Sequence, residues 1–196
     1  VKLGPGILSN IFDGIERPLE HIYETGSAFI PEGIGLISID LNELWDVHMT
    51  VKVGDYLEEG SVYATVQETS LILHKLMVPP KMSGKVTFVE NDGKYNIEHT
   101  VIKILDKDEE EIELNLYQEW PIRTPRPVKR KRAIEKPLIT GQRVIDTFFP
   151  LAKGGTAAIP GGFGTGKTIT QHQLAKWSDA DIIVYIGCGE RGNEMT

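Results

Sequence analysis

A loop near the end of the chain has the residue types and spacing of a phosphate-binding site. Its order fits the pattern G-x-x-x-x-G-K-[ST], in which glycines let backbone N–H groups turn inward around an anion. Lys167 would place a cation beside the β- and γ-phosphates, and the Thr168 hydroxyl could ligate Mg²⁺. The candidate residues are Gly161, Gly162, Phe163, Gly164, Thr165, Gly166, Lys167 and Thr168.

The residues on either side of this loop predict the strand and the helix that the motif requires. Residues 156–160 are short and apolar, as in a buried strand, and residues 169–177 place Thr170, Leu174 and Trp177 at helical spacing. The alternative, a glycine-rich turn that happens to be followed by a lysine, would require neither the strand before the loop nor the helix after it. The strand, loop and helix together therefore indicate a site for a nucleoside triphosphate.

A carboxylate follows the next apolar stretch, residues 181–186, which predicts a strand buried on both faces. Ligands of open α/β sheets bind beyond the carboxyl ends of the strands, so we expect Glu190 beside the γ-phosphate. A carboxylate there could orient an attacking water, and Arg191 would add a cation at the phosphates. Position alone equally permits a structural ion pair between Glu190 and Arg191.

Composition narrows the class of protein. The 196 residues are 40% hydrophobic and 25% charged, which is typical of a globular protein of one large or two small domains. The net charge of -7 argues against a dedicated nucleic-acid binder. A single cysteine, Cys188, allows no internal disulfide and suits a reducing compartment. The start of the sequence has no signal-like pattern and no apolar run could span a bilayer, so we expect any membrane connection to come through partners.

The long region over residues 21–118 predicts a small all-β unit. Turn signals containing glycine separate its apolar stretches, as in a compact barrel or sandwich. Its sequence resembles biotinyl- and lipoyl-type barrels, which carry a cofactor on a lysine. Neither Lys75 nor Lys81 lies in a matching local sequence, so the resemblance indicates a shared fold without the carrier function. Apolar residues alternate with others at Val51/Val53, Val62/Ala64/Val66, Leu71/Leu73, Val86/Phe88, Ile102/Ile104 and Ile112/Leu114/Leu116.

The remaining segments connect these two parts. Ile7, Leu8, Ile11 and Ile15 have the spacing of a short helix. We expect a connector over residues 1–20, an extended linker rich in proline and basic residues over 119–137, and the nucleotide domain from residue 138 onward, opening with a short helix. The fold class is thus α/β plus all-β. Because a phosphate-loop sheet needs several parallel strands, we expect 138–196 to be the first part of a longer domain.

Several stretches of the chain carry a specific resemblance to a known family. They are residues 4–6, 13–19, 120–121 with 126–127, 138–144, 161–168 with 171 and 174–176, and 187–195. Together they closely resemble the catalytic A subunit of V-type and archaeal A-type rotary ATPases, and the resemblance covers essentially the whole sequence. The β-rich region over residues 40–118 looks like the insertion that separates this subunit from the F-type β subunit.

The resemblance implies a RecA-type parallel-sheet domain that uses ATP or ADP with Mg²⁺. It assigns Lys167 and Thr168 to the phosphates and Mg²⁺, Glu190 to the attacking water, and Arg191 to the phosphates. Glu194 matches an acid near the Mg²⁺ hydration shell. Eukaryotic members carry Cys where this chain has Thr165. The resemblance therefore favours a prokaryotic source and implies no redox inhibition through a loop thiol.

The resemblance also implies partners and a location. The family's arginine finger comes from the B subunit of a head in which A and B subunits alternate, and central and peripheral stalks complete the complex. The peripheral stalk could dock on the β-rich insertion. The subunit would be cytoplasmic and peripheral to the membrane, coupling ATP hydrolysis or synthesis to H⁺ or Na⁺ transport, and the segment alone would be inactive.

Two other classes of protein remain open at this point. A hexameric motor driven by nucleic acid shares the nucleotide fold, and the basic linker is its only support. A non-catalytic module would use the β-rich region solely for docking, which is compatible with catalysis elsewhere in the same subunit.

Overall fold

The computed structural model describes residues 1–24, 26, 29, 33, 36–128 and 130–189. The chain divides into two units, Val1–Val128 and Lys129–Thr196. The first contains almost all of the regular β-structure, and the second contains the glycine loop. Each unit is described separately below.

The first unit consists mainly of short strands. Within its described residues there are one helix, α1 (Leu19–Glu24), and ten strands. The strands are β1 (Lys2–Leu3), β2 (Trp45–Met49), β3 (Tyr56–Leu57), β4 (Val62–Gln67), β5 (Leu73–Met77), β6 (Gly84–Val89), β7 (Gly93–Tyr95), β8 (Ile102–Leu105), β9 (Glu111–Leu114) and β10 (Gln118–Glu119).

Eight of these strands form two antiparallel sheets. Their orders are β5-β4-β2-β7 and β3-β6-β8-β9, and β1 pairs with β10 in a separate ladder. Register shifts between Val62 and Ala64 in β4 and between Val86 and Phe88 in β6 bend the strands at those points. The prediction of an all-β unit is confirmed.

The core of the first unit lies between the inner faces of these sheets. In β8 the buried residues Ile102 and Ile104 alternate with half-buried ones, as the period of a strand requires. The other residues with no exposed surface are Val47, Tyr63, Ala64, Val66, Leu76, Val78, Val101 and Leu116. The polar groups buried in this unit include the Gln118 side chain, 2% exposed, and the Tyr63 hydroxyl, which donates a 2.6 Å hydrogen bond to the Asn115 carbonyl.

Replacing Ile104 with alanine should lower the free energy of unfolding of the first unit by about 2–5 kcal/mol. The side chain is 0% exposed, so its loss removes apolar contacts and leaves a cavity. Denaturant unfolding followed by the fluorescence of Trp45 and Trp120, which are both buried in this unit, would measure the loss. Leu71, 75% exposed, is the matched control, and its replacement by alanine should change stability by less than about 0.5 kcal/mol.

The helix predicted from Ile7, Leu8, Ile11 and Ile15 does not form. This segment is made of turns, and the first helix is α1, which starts at Leu19. The Asp13 carboxylate accepts hydrogen bonds from the backbone N–H groups of Ile15 and Arg17, at 3.0 and 2.9 Å. An aspartate side chain that bonds to nearby backbone offers the chain an alternative to a helix, and here that alternative is adopted.

Val51 and Val53, predicted to belong to a strand, lie outside the strands, and Val53 is part of a turn. The Asp55 carboxylate accepts from the Lys52 N–H at 2.8 Å, and the Asp55 N–H donates to the Lys52 carbonyl at 3.1 Å. Gly54 completes the turn with a φ of +98°. Strand β2 therefore ends at Met49, before the apolar alternation in the sequence ends.

The buried Glu68 carboxylate fastens the start of the chain to the β4–β5 hairpin. It accepts from the Gly6 N–H at 2.7 Å and lies 3.2 Å from His74 Nδ1. Burial by itself raises the pKa of Glu68, but the hydrogen bonds from His74 and Gly6 outweigh it, so the pKa lies below its ordinary value of 4.5. The ionised form is thus favoured by folding.

These contacts of the ionised Glu68 carboxylate predict that the first unit loses stability in acid. A carboxyl with a lowered pKa in the folded state stabilises the fold above its ordinary pKa, and that contribution disappears as the pH falls through the folded value. Between about pH 6 and about pH 3, the Glu68→Gln variant should lose less unfolding free energy than the parent chain. Urea unfolding at several pH values would measure the difference. The exposed Glu98→Gln variant is the control and should keep the parent's pH dependence. An identical pH dependence in Glu68→Gln would contradict the contribution assigned to the Glu68 carboxylate.

The first part of the predicted linker packs on the first unit. The Arg126 guanidinium lies 4.7 Å from the Trp120 ring centroid and donates a 2.6 Å hydrogen bond to Gln118 Oε1. Trp120 Nε1 donates to the Thr124 carbonyl at 2.8 Å. Trp120 and Gln118 are buried, so residues 118–126 form a bonded part of the unit and are not a free extended chain.

The second unit has few regular elements in its described residues. They are β11 (Pro137–Leu138), α2 (Arg143–Phe148), β12 (Leu151–Ala152) and α3 (Lys167–Trp177). Strands β11 and β12 pair antiparallel. Both predicted helices, after the loop and between residues 138 and 155, are confirmed.

Strands predicted over 156–160 and 181–186 are not present in the structure. Among the described residues, neither stretch pairs with another strand, and Val184 and Ile186 are 78% and 80% exposed. An apolar stretch becomes an internal strand only when neighbouring strands take its backbone hydrogen bonds and layers cover both faces. The described residues of this unit provide neither neighbouring strands nor covering layers for these two stretches.

Candidate functional site

The glycine loop turns sharply into helix α3. Gly164 and Gly166 have φ values of +77° and +85°, in the left-handed region where a side chain is strained. Gly166 is the N-cap residue of α3. The first amides of a helix have no partner within the helix, so the loop brings these donors and the positive end of the helix dipole together.

The loop is braced by its own side chains. Lys167 Nζ donates to the Gly161 carbonyl at 2.6 Å, and Thr165 Oγ1 donates to the Gly162 carbonyl at 2.8 Å. A Cβ added at Gly161 would lie 2.5 Å from Thr165 Oγ1, so only glycine fits there without movement. The ammonium group of Lys167 is thus held across the inside of the turn.

Two loop residues differ in exposure. Phe163 is 98% exposed, whereas Thr168, the second residue of α3, is half-buried. Thr170 Oγ1 donates to the Gly166 carbonyl at 2.9 Å and ties the first turn of the helix to the loop. No acidic residue lies in that first turn, so nothing on the helix itself opposes an anion.

The far end of α3 is fixed by Asp179. Its carboxylate accepts from the Ile139 N–H at 2.9 Å and forms a 2.7 Å ion pair with Lys153, next to β12. The Asp179 N–H donates in return to the Ile139 carbonyl at 2.9 Å. The hydrogen bond from Lys153 is the main reason why the pKa of Asp179 lies below its usual value. These bonds join α3 to the β11–β12 ladder.

A second carboxylate, Asp146 on α2, binds the residues that lie just before that helix. It accepts from the Thr140 N–H and hydroxyl at 2.9 and 2.7 Å and from the Gly141 N–H at 3.1 Å. The bond from the Thr140 backbone is the largest cause of a lowered pKa for Asp146. Neither Asp146 nor Asp179 was predicted from the sequence. A capping box places its acid three residues after the threonine, and here the acid comes later.

The structure brings together only part of the predicted site. Residues 161–168 form one continuous loop and helix start. Glu190, Arg191 and Glu194 lie outside the described residues. Within the part of the chain that is described, no group of three His, Cys, Asp or Glu side chains is placed to hold a metal.

The loop fits a phosphate group with its metal ion. It presents the first amides of a helix, a cation and a turn in which a side chain at Gly161 would collide with Thr165. The Thr168 hydroxyl is the one described side chain that the motif offers to Mg²⁺, which suits an ion held mainly by phosphate oxygens and water.

None of the helices in the described ranges combines enough residues with enough apolar character to cross a membrane.

Both units match models of known domains. Residues 36–123 match the ATP synthase alpha/beta subunit barrel-sandwich domain, and residues 141–196 match the nucleotide-binding domain of the ATP synthase alpha/beta family. The chain therefore belongs to the ATP synthase alpha/beta family. The predicted fold class, a barrel-sandwich domain followed by the start of a nucleotide-binding domain, is confirmed.

Within this family the chain is similar to alpha chains of V-type and A subunits of A-type ATP synthases. It is 66% identical to the V-type ATP synthase alpha chain 2 of Clostridium tetani and 58% identical to the A subunit of the A-type ATP synthase of Methanopyrus kandleri, and each match covers 100% of this chain. The V-type ATP synthase alpha chain of Halothermothrix orenii is 56% identical. The chain spans about a third, 33%, of the length of each of these relatives. The resemblance to the A-subunit family is confirmed.

Proposed function

We propose that this chain is part of the catalytic subunit of a rotary ATPase, which hydrolyses or synthesises ATP in step with H⁺ or Na⁺ transport. The observation that carries the proposal is the braced turn at residues 161–168, with two left-handed glycines opening helix α3. Identity over the whole of this chain to V-type and A-type subunits supports the same assignment.

Each loop residue has a role in holding the nucleotide. The amides from Gly162 to Thr168 surround the phosphates, and Lys167 exchanges its bond to the Gly161 carbonyl for the β- and γ-phosphates. The Thr168 hydroxyl holds Mg²⁺, which neutralises charge on the phosphates when it is bound. Because Lys167 is already held at the inside of the turn, little rearrangement is needed when the phosphates enter.

The acidic and basic residues after the apolar stretch complete the proposed chemistry. Glu190 would orient the attacking water and take its proton, Arg191 would bind the phosphates, and Glu194 would act near the hydrated Mg²⁺. These roles come from the family resemblance and from the order of residues along the chain.

We assign the missing arginine and the mechanical coupling to partners. In the proposed complex a B subunit supplies the arginine finger in trans, which is worth about 10³–10⁵ in rate in related enzymes. Central and peripheral stalk subunits complete the assembly, and the barrel-sandwich unit provides a docking surface for the peripheral stalk. The subunit is cytoplasmic and reaches the membrane only through the ion-translocating sector.

Nucleotide binding and turnover by the full-length subunit test this proposal. On its own, the full-length protein should bind Mg-ATP and hydrolyse it slowly, and addition of its B partner should raise steady-state turnover about 10³-fold or more. Calorimetric titration followed by a phosphate-release assay would measure both. Turnover that rises with RNA or DNA and not with the partner would instead identify a motor driven by nucleic acid.

A further inference from the structure

A basic concavity lies in the second unit, on the segment that leads into β11. Its volume is about 640 Å³, and five of its lining residues are cationic: Arg130, Lys131, Arg132, Lys136 and Lys153. Glu135 is the one carboxylate among the lining residues, so the local formal charge is +4 in a chain whose net charge is -7. We call these residues the basic concavity.

Two of its lysines are held in place by the backbone. Strand β11 pairs with β12 so that Pro137 lies opposite Ala152, and the Lys153 N–H donates to the Lys136 carbonyl at 2.9 Å. Lys136 and Lys153 therefore lie opposite each other at the end of the ladder. Like charges in this position destabilise a strand pair unless something neutralises them.

The described residues neutralise only one of these cations. Lys153 pairs with Asp179 at 2.7 Å. No ion pair between described residues involves Arg130, Lys131, Arg132 or Lys136, although all four side chains are exposed beside the same concavity. A group of unpaired cations around a concave surface creates a positive potential that attracts a multivalent anion.

We propose that the basic concavity binds the polyphosphate chain of a small anion, at residues separate from the Gly161–Thr168 loop. Its volume is in the range of small-ligand sites. Guanidinium groups bind phosphate oxygens in a bidentate manner, and lysines add point charges. A folded acidic segment of another protein would need a longer, open surface. The concave shape therefore favours a compact anion, which could be a nucleotide or an inorganic polyphosphate.

Titration of the full-length subunit with inorganic tripolyphosphate tests the proposal. The protein should carry Lys167→Ala, which weakens phosphate binding at the glycine loop. In that background, the combined changes Arg130→Gln, Arg132→Gln and Lys136→Gln should raise Kd about tenfold or more, as expected for the loss of hydrogen bonds to a charged group. The matched control changes three exposed lysines of the other unit, Lys75, Lys85 and Lys94, to Gln. An equal rise in Kd in the control would overturn the proposal.

A second measurement leaves the concavity unmutated. Tripolyphosphate should slow the acylation of Lys136 by an amine-specific reagent, read by mass spectrometry, and leave Lys85 unaffected. Competition by ATP would identify the anion as a nucleotide, and competition by inorganic polyphosphate alone would identify it as the free anion. Equal reactivity of Lys136 with and without tripolyphosphate would contradict the proposal, as would tighter binding of a glutamate peptide of the same charge.

Discussion

Replacing Lys167 with alanine should lower the kcat for ATP hydrolysis by the assembled complex about 10²–10³-fold. The Lys167 ammonium lies 2.6 Å from the Gly161 carbonyl, at the inside of the turn that would surround the phosphates. Negative charge develops on the transferred phosphoryl oxygens in the transition state, and a fixed cation there acts without further reorganisation. Steady-state phosphate release at saturating Mg-ATP would measure the loss.

Lys176 provides the matched control for this substitution. It is exposed in the last turn of the same helix and lies 5.2 Å from the Trp177 ring. Lys176→Ala removes the same charge from α3 and should leave kcat within about twofold, because isolated surface charges contribute little. If Lys167→Ala and Lys176→Ala had the same kcat, the loop would not be the catalytic phosphate site.

Local patterns predicted the parts of the molecule whose structure depends on nearby residues. The glycine loop and α3 were predicted because left-handed glycines, a helix start and a lysine follow one another directly in the sequence. Strands β4 and β8 were predicted because apolar residues alternate between glycine turns. The alternation at Val51 and Val53 predicted a strand that runs up to the turn at Gly54 and Asp55, but the turn already starts at Lys52 and strand β2 ends at Met49.

The parts that sequence could not supply depend on contacts between distant residues. Asp179 bonds to Ile139, which is 40 positions away, and no local pattern in the sequence connects the two residues. The Glu68 carboxylate meets Gly6 across 62 positions. Apolar character over 181–186 predicted a buried strand, yet a strand exists only where partners pair with it. The site was therefore predictable as a loop, whereas the bonds that hold α3 to β11 and β12 were not.

The second large effect is expected at Glu190, where glutamine should lower kcat about 10²–10⁴-fold, the usual contribution of a general base. Glutamine keeps the size and one carbonyl oxygen of the side chain but does not accept the proton of an attacking water at neutral pH. ATP binding should change much less than kcat, because the phosphates are held by the Gly161–Thr168 loop and Mg²⁺. The pair of measurements is a titration with Mg-ATP and a turnover assay on the assembled complex.

This division between binding and turnover separates a catalytic Glu190 from a structural one. If Glu190 formed only an ion pair with Arg191, Glu190→Gln would weaken folding or ATP binding, and Arg191→Gln would have the same effect on both. If Glu190 acts as a base on water, kcat should fall while the Kd for Mg-ATP stays within about threefold. The substitution would then leave unchanged the interactions that bind the substrate equally in the ground state and the transition state. Glu58→Gln, an exposed change in the other unit, controls for lost charge. Substantial steady-state turnover by a folded Glu190→Gln complex would refute the role of Glu190 and leave the loop assignment standing.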